Sequence, residues 1–153
     1  MQRYRLVISL HWLLLLVSCD GLMGSNALGD DFVIWEGDSQ KDRVITYCTK
    51  KSLGRCEGGI YILPTYDRHM VNGKYAEFVK DAKSNPEYII ARTILIENDQ
   101  LNYWIINKQG LNFKKTDCSI INCDSIIRSH VIGPLTRAEF DLKVQLSKID
   151  LRF

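Results

Sequence analysis

Residues 88–107 read YIIARTILIENDQLNYWIIN, in which two β-branched and aromatic runs, residues 88–96 and 101–107, flank the polar segment ENDQ. Residues of this kind favour extended strands, and a polar break of four residues has the length of a hairpin loop. A third run follows at residues 111–115, after the turn sequence KQG. The pattern predicts three consecutive strands joined as an antiparallel meander.

Shorter runs nearer the N-terminus repeat this pattern. Residues 32–35 are apolar, and residues 43–49 and 58–63 flank a polar turn that contains Gly54. Two extended runs around such a turn predict a β-hairpin. The sequence therefore predicts a mainly β fold, either a small antiparallel sandwich or a barrel-like sheet.

Three other segments complete the predicted fold. Residues 74–83 place apolar side chains at the i, i+3, i+4 and i+7 spacing, which predicts one short amphipathic helix ended by Asn85-Pro86. Residues 125–132 predict another strand. Residues 136–139 fit a capping box, and the apolar alternation after them predicts a helical turn leading into a final bulged strand.

The first residues have the pattern of an export signal. Two arginines precede an apolar run over residues 6–17, which is too short to span a bilayer but typical of a signal peptide. A Ser-Asn-Ala sequence then places small residues where a signal peptidase would cut before Leu28. We expect a signal peptide over residues 1–27 and a single domain over residues 28–153.

A second processing site lies inside this segment. The sequence Leu-Val-Ser-Cys that ends at Cys19 resembles a bacterial lipobox, in which the cysteine receives a lipid and becomes the first residue. Cys19 is therefore a lipidation candidate. The alternative is that Cys19 is removed together with the leader.

The other four cysteines are Cys48, Cys56, Cys118 and Cys123, an even set in a chain with an export signal. Such a set predicts two disulfides, and pairing of neighbours is the simplest of three connectivities. A four-cysteine zinc site is the alternative. The seven residues between Cys48 and Cys56 exceed the usual ligand spacing, so we expect no metal and no cofactor.

Charge limits the classes of partner. The chain has 20 basic and 18 acidic side chains, a net charge of +2, which becomes +1 without the two arginines and one aspartate of the leader. A nearly neutral surface lacks the basic stripe of a nucleic-acid-binding protein. We expect a protein or cell-surface partner, no nucleic acid, and membrane contact only through a lipid on Cys19.

Candidate catalytic residues are few. Outside the leader the sequence has two histidines, His69 and His130, which a secreted ribonuclease could use with a lysine as general acid and base. Their rings would have to converge in the fold. The sequence has no glycine-rich phosphate loop, nucleophile elbow or zinc-protease motif, so a non-enzymatic protein is the first expectation.

Three aromatic residues are candidates for a binding surface: Trp35, Tyr103 and Trp104. Exposed tryptophan and tyrosine side chains contribute much of the binding energy at protein interfaces. The alternative is packing in the core, where an aromatic side chain of a strand usually lies.

The arrangement of one tryptophan and four cysteines resembles the invasion-associated locus B (IalB) family of small exported bacterial proteins. The matching features are the early Trp35, the pair Cys48 and Cys56 around a polar turn, and the late pair Cys118 and Cys123 within FKKTDCSIINC. The resemblance spans most of the chain after the leader. It implies an all-β protein of the periplasm or cell surface, linked to host-cell interaction and virulence, with no catalytic residues to carry over.

The sequence thus favours an exported, non-enzymatic domain that binds a partner at a host or envelope surface. We expect it in the periplasm, anchored to the envelope, or secreted. Two alternatives stay open at this point. One is a small secreted hydrolase, such as a ribonuclease that uses His69 and His130, and the other is a structural envelope lipoprotein.

Native protein is expected to lack residues 1–17, because the apolar run and both processing patterns mark them as a leader. Intact mass spectrometry should show a chain that begins at Cys19 with attached lipid, or near Leu28 without it. A native mass that includes residues 1–17 would contradict export.

Overall fold

The computed structural model describes residues 25–53, 55–113, 118 and 120–153 of the chain. About half of these residues (48%) lie in antiparallel β-strands, and the helices are few and short, so the fold is mainly β as the sequence predicts. The strands are β1 (Ser25–Gly29), β2 (Phe32–Trp35), β3 (Val44–Ser52), β4 (Arg55–Leu63), β5 (Met70–Val71), β6 (Lys74–Tyr75), β7 (Glu77–Ser84), β8 (Tyr88–Leu95), β9 (Gln100–Asn107) and β10 (Val131–Leu135).

The strands form two four-stranded sheets and a small hairpin. The first sheet has the order β1-β2-β3-β4, the second has the order β10-β9-β8-β7, and β5 pairs with β6. The helices are α1 (Tyr66–His69), α2 (Cys123–Ser129) and α3 (Arg137–Leu146), with a 3₁₀ turn at Gln40–Asp42. Within the described ranges, no helix is long and apolar enough to cross a membrane.

The two central strands of the second sheet, β8 and β9, are covered on both faces. Ile89 and Trp104 belong to the core between the two sheets, whereas Ile90 and Tyr103 pack on the opposite face with Phe140 of α3. Successive side chains of a strand point to opposite faces, so β8 and β9 need apolar residues at nearly every position. This explains why the stretch that predicts the fold reads as continuous apolar runs.

Several predicted strands are confirmed. Residues 32–35 form β2, which pairs with β3. The predicted hairpin is β3 and β4, and the runs at residues 88–96 and 101–107 are β8 and β9. The third meander run does not form a strand over residues 111–113, and residues 114 and 115 lie outside the described part. β10 takes that place in the second sheet.

The helix predicted over residues 74–83 is wrong, because this segment contains β6 and β7. β7 pairs with β8, and a β-bulge between Val79 and Asp81 adds one residue to the strand. Val79 and Ala82, three residues apart, therefore both pack against the core. An irregular strand thus imitated the period of a helix.

The strand predicted over residues 125–132 is also wrong, because most of this segment is α2. The Asn122 side chain accepts a hydrogen bond from the Ser125 amide at 3.0 Å, which caps the first turn of the helix. Only Ile127 and Cys123 of this helix are buried. β10 begins at the next apolar residue after the helix.

The predicted capping box is confirmed, but the strand predicted after it is wrong, since α3 continues for ten residues. Hydrogen bonds from the Thr136 amide and hydroxyl lower the pKa of Glu139. Phe140 and Val144, four residues apart, face the core, whereas Leu142 is exposed. The apolar alternation in the sequence combined buried and exposed residues of one helix.

β1 belongs to the folded domain, although most of it lies in the predicted leader. Ser25 pairs with Trp35, and the next two residues continue the same ladder. Leu28 is buried in the core, and its carbonyl oxygen accepts a hydrogen bond from Lys108 Nζ at 3.1 Å. A cut before Leu28 would remove three of the five residues of β1.

A chain that begins at Leu28 is expected to be less stable than one that begins at Asp20, because it loses three of the four residues of β1 that pair with β2. A few strand hydrogen bonds at about 1 kcal/mol each correspond to a decrease in melting temperature of about 5–10 °C. Thermal unfolding followed by circular dichroism measures the difference. Equal melting temperatures would show that residues 25–27 contribute nothing to stability.

Candidate functional site

An open groove lies between α2 and β4, which is the edge strand of the first sheet. Its volume is about 490 Å³, within the range of small-ligand sites. The side chains of Trp35 and Tyr61 point away from the core, because their strand neighbours Ile34 and Ile60 pack in it. The groove is lined by Trp35, Gly58, Gly59, Tyr61, Tyr66, Asp124 and Arg128.

Three aromatic side chains form one wall of the groove. The ring centroids of Trp35 and Tyr61 lie 6.1 Å apart at an interplanar angle of 76°, and those of Tyr61 and Tyr66 lie 6.0 Å apart at 55°. Tyr66 is 63% exposed. Contacts between tilted rings fix their orientations and leave apolar ring surface facing a ligand.

Tyr61 extends this wall toward a buried histidine, and its ring centroid lies 6.2 Å from that of His69. Burial raises the pKa of Tyr61, and the nearby carboxylate of Asp42 raises it further. The phenol therefore stays protonated at neutral pH and keeps its O–H as a hydrogen-bond donor.

The floor of the groove is the glycine backbone of β4. A side-chain carbon at Gly59 would lie 2.2 Å from the Tyr47 carbonyl oxygen, so this position requires glycine. A side-chain carbon at Gly58 would meet no atom within 4 Å. Position 58 therefore faces open space, and a ligand can approach the strand backbone there.

An ion pair on α2 forms the polar wall. Arg128 Nε donates to Asp124 Oδ2 at 2.7 Å, and the two residues stand four apart on one face of the helix. Both side chains are a little over 40% exposed. The pair holds a carboxylate and a guanidinium side by side, with further acceptor and donor positions available to a ligand.

Both disulfides are present and join neighbouring cysteines. Cys48–Cys56 crosses the β3–β4 hairpin, two residues before Gly58, and Cys118–Cys123 ties the first residue of α2 to the preceding loop. Asp124 is the next residue of that helix. One disulfide therefore braces the floor of the groove and the other braces its polar wall.

A buried polar cluster around Glu77 holds α1, the helix that carries the groove residue Tyr66. The carboxylate of Glu77, which is fully buried, accepts hydrogen bonds from Arg68 Nε at 2.5 Å and Thr93 Oγ1 at 2.5 Å. Trp104 Nε1 donates to Thr93 Oγ1 at 2.8 Å, and the Arg68 guanidinium lies 5.2 Å from the Trp104 ring centroid. These contacts fix α1, and with it Tyr66, to the second sheet.

The two histidines do not share a site. His69 Nδ1 lies 2.8 Å from the Glu77 carbonyl oxygen, and His130 Nδ1 lies 3.1 Å from that of Asn107. The strand register places Glu77 and Asn107 at opposite ends of the second sheet, seven residues apart along β8. This separation is about 23 Å. The two imidazoles therefore cannot act together on one phosphodiester.

Of the three aromatic candidates, only Trp35 lines the groove. Trp104 packs between the sheets, and the ring centroid of Tyr103 lies 5.2 Å from that of Phe140 beneath α3. Both side chains are buried, so neither offers a binding surface. The lipidation candidate Cys19 lies outside the described residues.

Sequence reasoning missed four groove residues, Tyr61, Tyr66, Asp124 and Arg128. Gly58 and Gly59, two and three residues before Tyr61 in the same strand, are the one local sign of an open surface. Tyr66, Asp124 and Arg128 carry no local signal, and Arg128 lies in a segment whose apolar residues predict a strand. In the parts of the chain that the structure describes, no cluster of three or more His, Cys, Asp or Glu side chains could hold a metal ion.

Comparison of the chain with protein-family models, with curated proteins and with solved structures found no match. The geometry of the groove is therefore the basis for a functional proposal.

Replacement of Cys118 and Cys123 together by alanine is expected to lower stability by about 2–3 kcal/mol, because the unfolded chain gains freedom. The β-rich circular dichroism spectrum should persist at room temperature, since the core forms without this bridge. Loss of the folded spectrum would show that the bridge is required for folding. Two free thiols in the native protein would show that the bridge does not form.

Proposed function

We propose that this protein is an exported, non-enzymatic domain that binds a protein or cell-surface partner through the groove between β4 and α2. The observation that carries the proposal is that both disulfides brace the same groove. A preorganised site loses less conformational entropy when a ligand binds. The disulfides also indicate an oxidising environment outside the cytoplasm.

The pairing of β1 favours one of the two processing sites. Removal of the leader before Cys19 leaves β1 whole, whereas a cut before Leu28 takes away Ser25 and the two residues after it. We therefore favour lipidation of Cys19 and attachment to the envelope. The resemblance to the invasion-associated locus B family adds a role at the host interface to this proposal.

The two alternatives receive less support. A ribonuclease that uses His69 and His130 needs convergent rings, which the strand register keeps far apart. A purely structural lipoprotein needs no groove. A structural role alone therefore does not explain why two disulfides and a glycine floor lie at the same groove.

The proposal predicts that filling the groove abolishes binding without unfolding the domain. In Gly58→Leu the new side chain enters open space, so the melting temperature should stay within about 2 °C while binding falls about tenfold or more. Binding of fluorescently labelled protein to cultured epithelial cells and to isolated bacterial envelopes is measured by flow cytometry. Saturable binding to one of these surfaces is expected.

Leu142→Ala is the matched control, because Leu142 is exposed on α3, on the opposite side of the sandwich. It should bind as the unchanged protein does. Equal binding by the Gly58→Leu protein would overturn the groove as the binding site. The hydrolase would be favoured instead if the unchanged protein hydrolysed RNA and a folded His130→Ala protein did not.

A further inference from the structure

The groove has the features of a site for an uncharged, polyhydroxylated ligand. Its two charged side chains, Asp124 and Arg128, neutralise each other at 2.7 Å. Its other lining side chains are aromatic or absent. A site with no net charge provides no long-range attraction for an ionic ligand, so recognition depends on shape, apolar contact and hydrogen bonds.

The aromatic wall matches one side of a sugar ring. A pyranose presents C–H groups on its faces, and these pack against aromatic rings, which combine a large apolar surface with few rotatable bonds. Trp35 and Tyr66 bracket Tyr61 at tilted angles, which gives a curved rather than a flat wall. A puckered ring fits such a wall better than a planar aromatic ligand does.

The polar wall matches the rim of the same ring. Each sugar hydroxyl both donates and accepts a hydrogen bond. Asp124 offers acceptor positions next to the donor positions of Arg128, and the ion pair holds both side chains in place. Two neighbouring hydroxyls could bond to this pair together, and hydrogen bonds to charged groups are stronger than those between neutral groups.

We propose that the groove binds a neutral saccharide, through a pyranose residue of a glycan at the host or envelope surface. This inference rests on the proposed binding function and names its ligand class. The glycine floor lets the sugar ring lie against the β4 backbone at Gly58. The open form of the groove leaves room for the rest of the glycan chain to continue into solvent.

The test begins with a printed array of neutral, sialylated and sulfated oligosaccharides. The neutral oligosaccharide that is retained best is then titrated in solution. Trp35 reports binding through its fluorescence, because the other tryptophan after the leader, Trp104, is buried in the core. The dissociation constant should change less than about twofold between low and high salt, since the ligand carries no charge.

Two variants and their controls test the walls separately. Tyr66→Ala should weaken binding about tenfold, and Asp124→Asn should do the same through loss of a charged acceptor. Asp141→Asn is the matched control, since Arg137 and Asp141 form the same i, i+4 pair at 2.7 Å on α3. It should leave binding unchanged within about twofold.

Three results would overturn the proposal: retention of no glycan, retention of charged glycans alone, or equal effects of Asp124→Asn and Asp141→Asn. A decaproline peptide is titrated in parallel, because extended proline-rich chains also bind aromatic grooves. Saturable binding of that peptide, lost in Tyr66→Ala, would replace the saccharide with a peptide and leave the proposed binding function intact. The proposed function itself fails separately, when Gly58→Leu binds cells and envelopes normally.

Discussion

The fold depends on the burial of β9 on both faces. Trp104 on one side of this strand packs into the core between the sheets, and Tyr103 on the other side packs under α3. A strand in this position cannot change its register by one residue without exchanging the two sets of side chains. The first sheet, the C-terminal helix and the neighbouring strands are all positioned against this one strand.

The same burial determines how much of the fold can be predicted from the sequence. Continuous apolar runs, as at residues 88–96 and 101–107, identify strands covered on both faces, and the predictions there are confirmed. The errors fall where the apolar spacing is that of a different element. The bulge in β7 gave a strand the spacing of a helix, and α2 and α3 each bury only one or two apolar residues. Such short, mostly exposed helices contain too few buried apolar residues to give a clear helical period in the sequence.

The groove could be predicted only in part, for a different reason. Trp35 and the cysteines were identifiable by residue type, but the groove joins three distant segments, around residues 35, 58–66 and 124–128. Their meeting follows from tertiary packing. Glu77 illustrates this, because its buried carboxylate binds Arg68 and so positions α1 and Tyr66. No local pattern marks a glutamate in a strand as the residue that orients one side of a groove.

The position of β1 has a consequence for what the groove can reach. Ser25 pairs with Trp35, so the chain enters the domain beside the groove. Six peptide units join Cys19 to Ser25, and a chain of that length extends at most about 21 Å. A lipid on Cys19 would therefore act as a short tether between the groove and its own membrane. A ligand anchored in the same membrane within reach of this tether would meet the groove at an effective concentration in about the millimolar range, so the groove would favour partners on its own envelope over free ones.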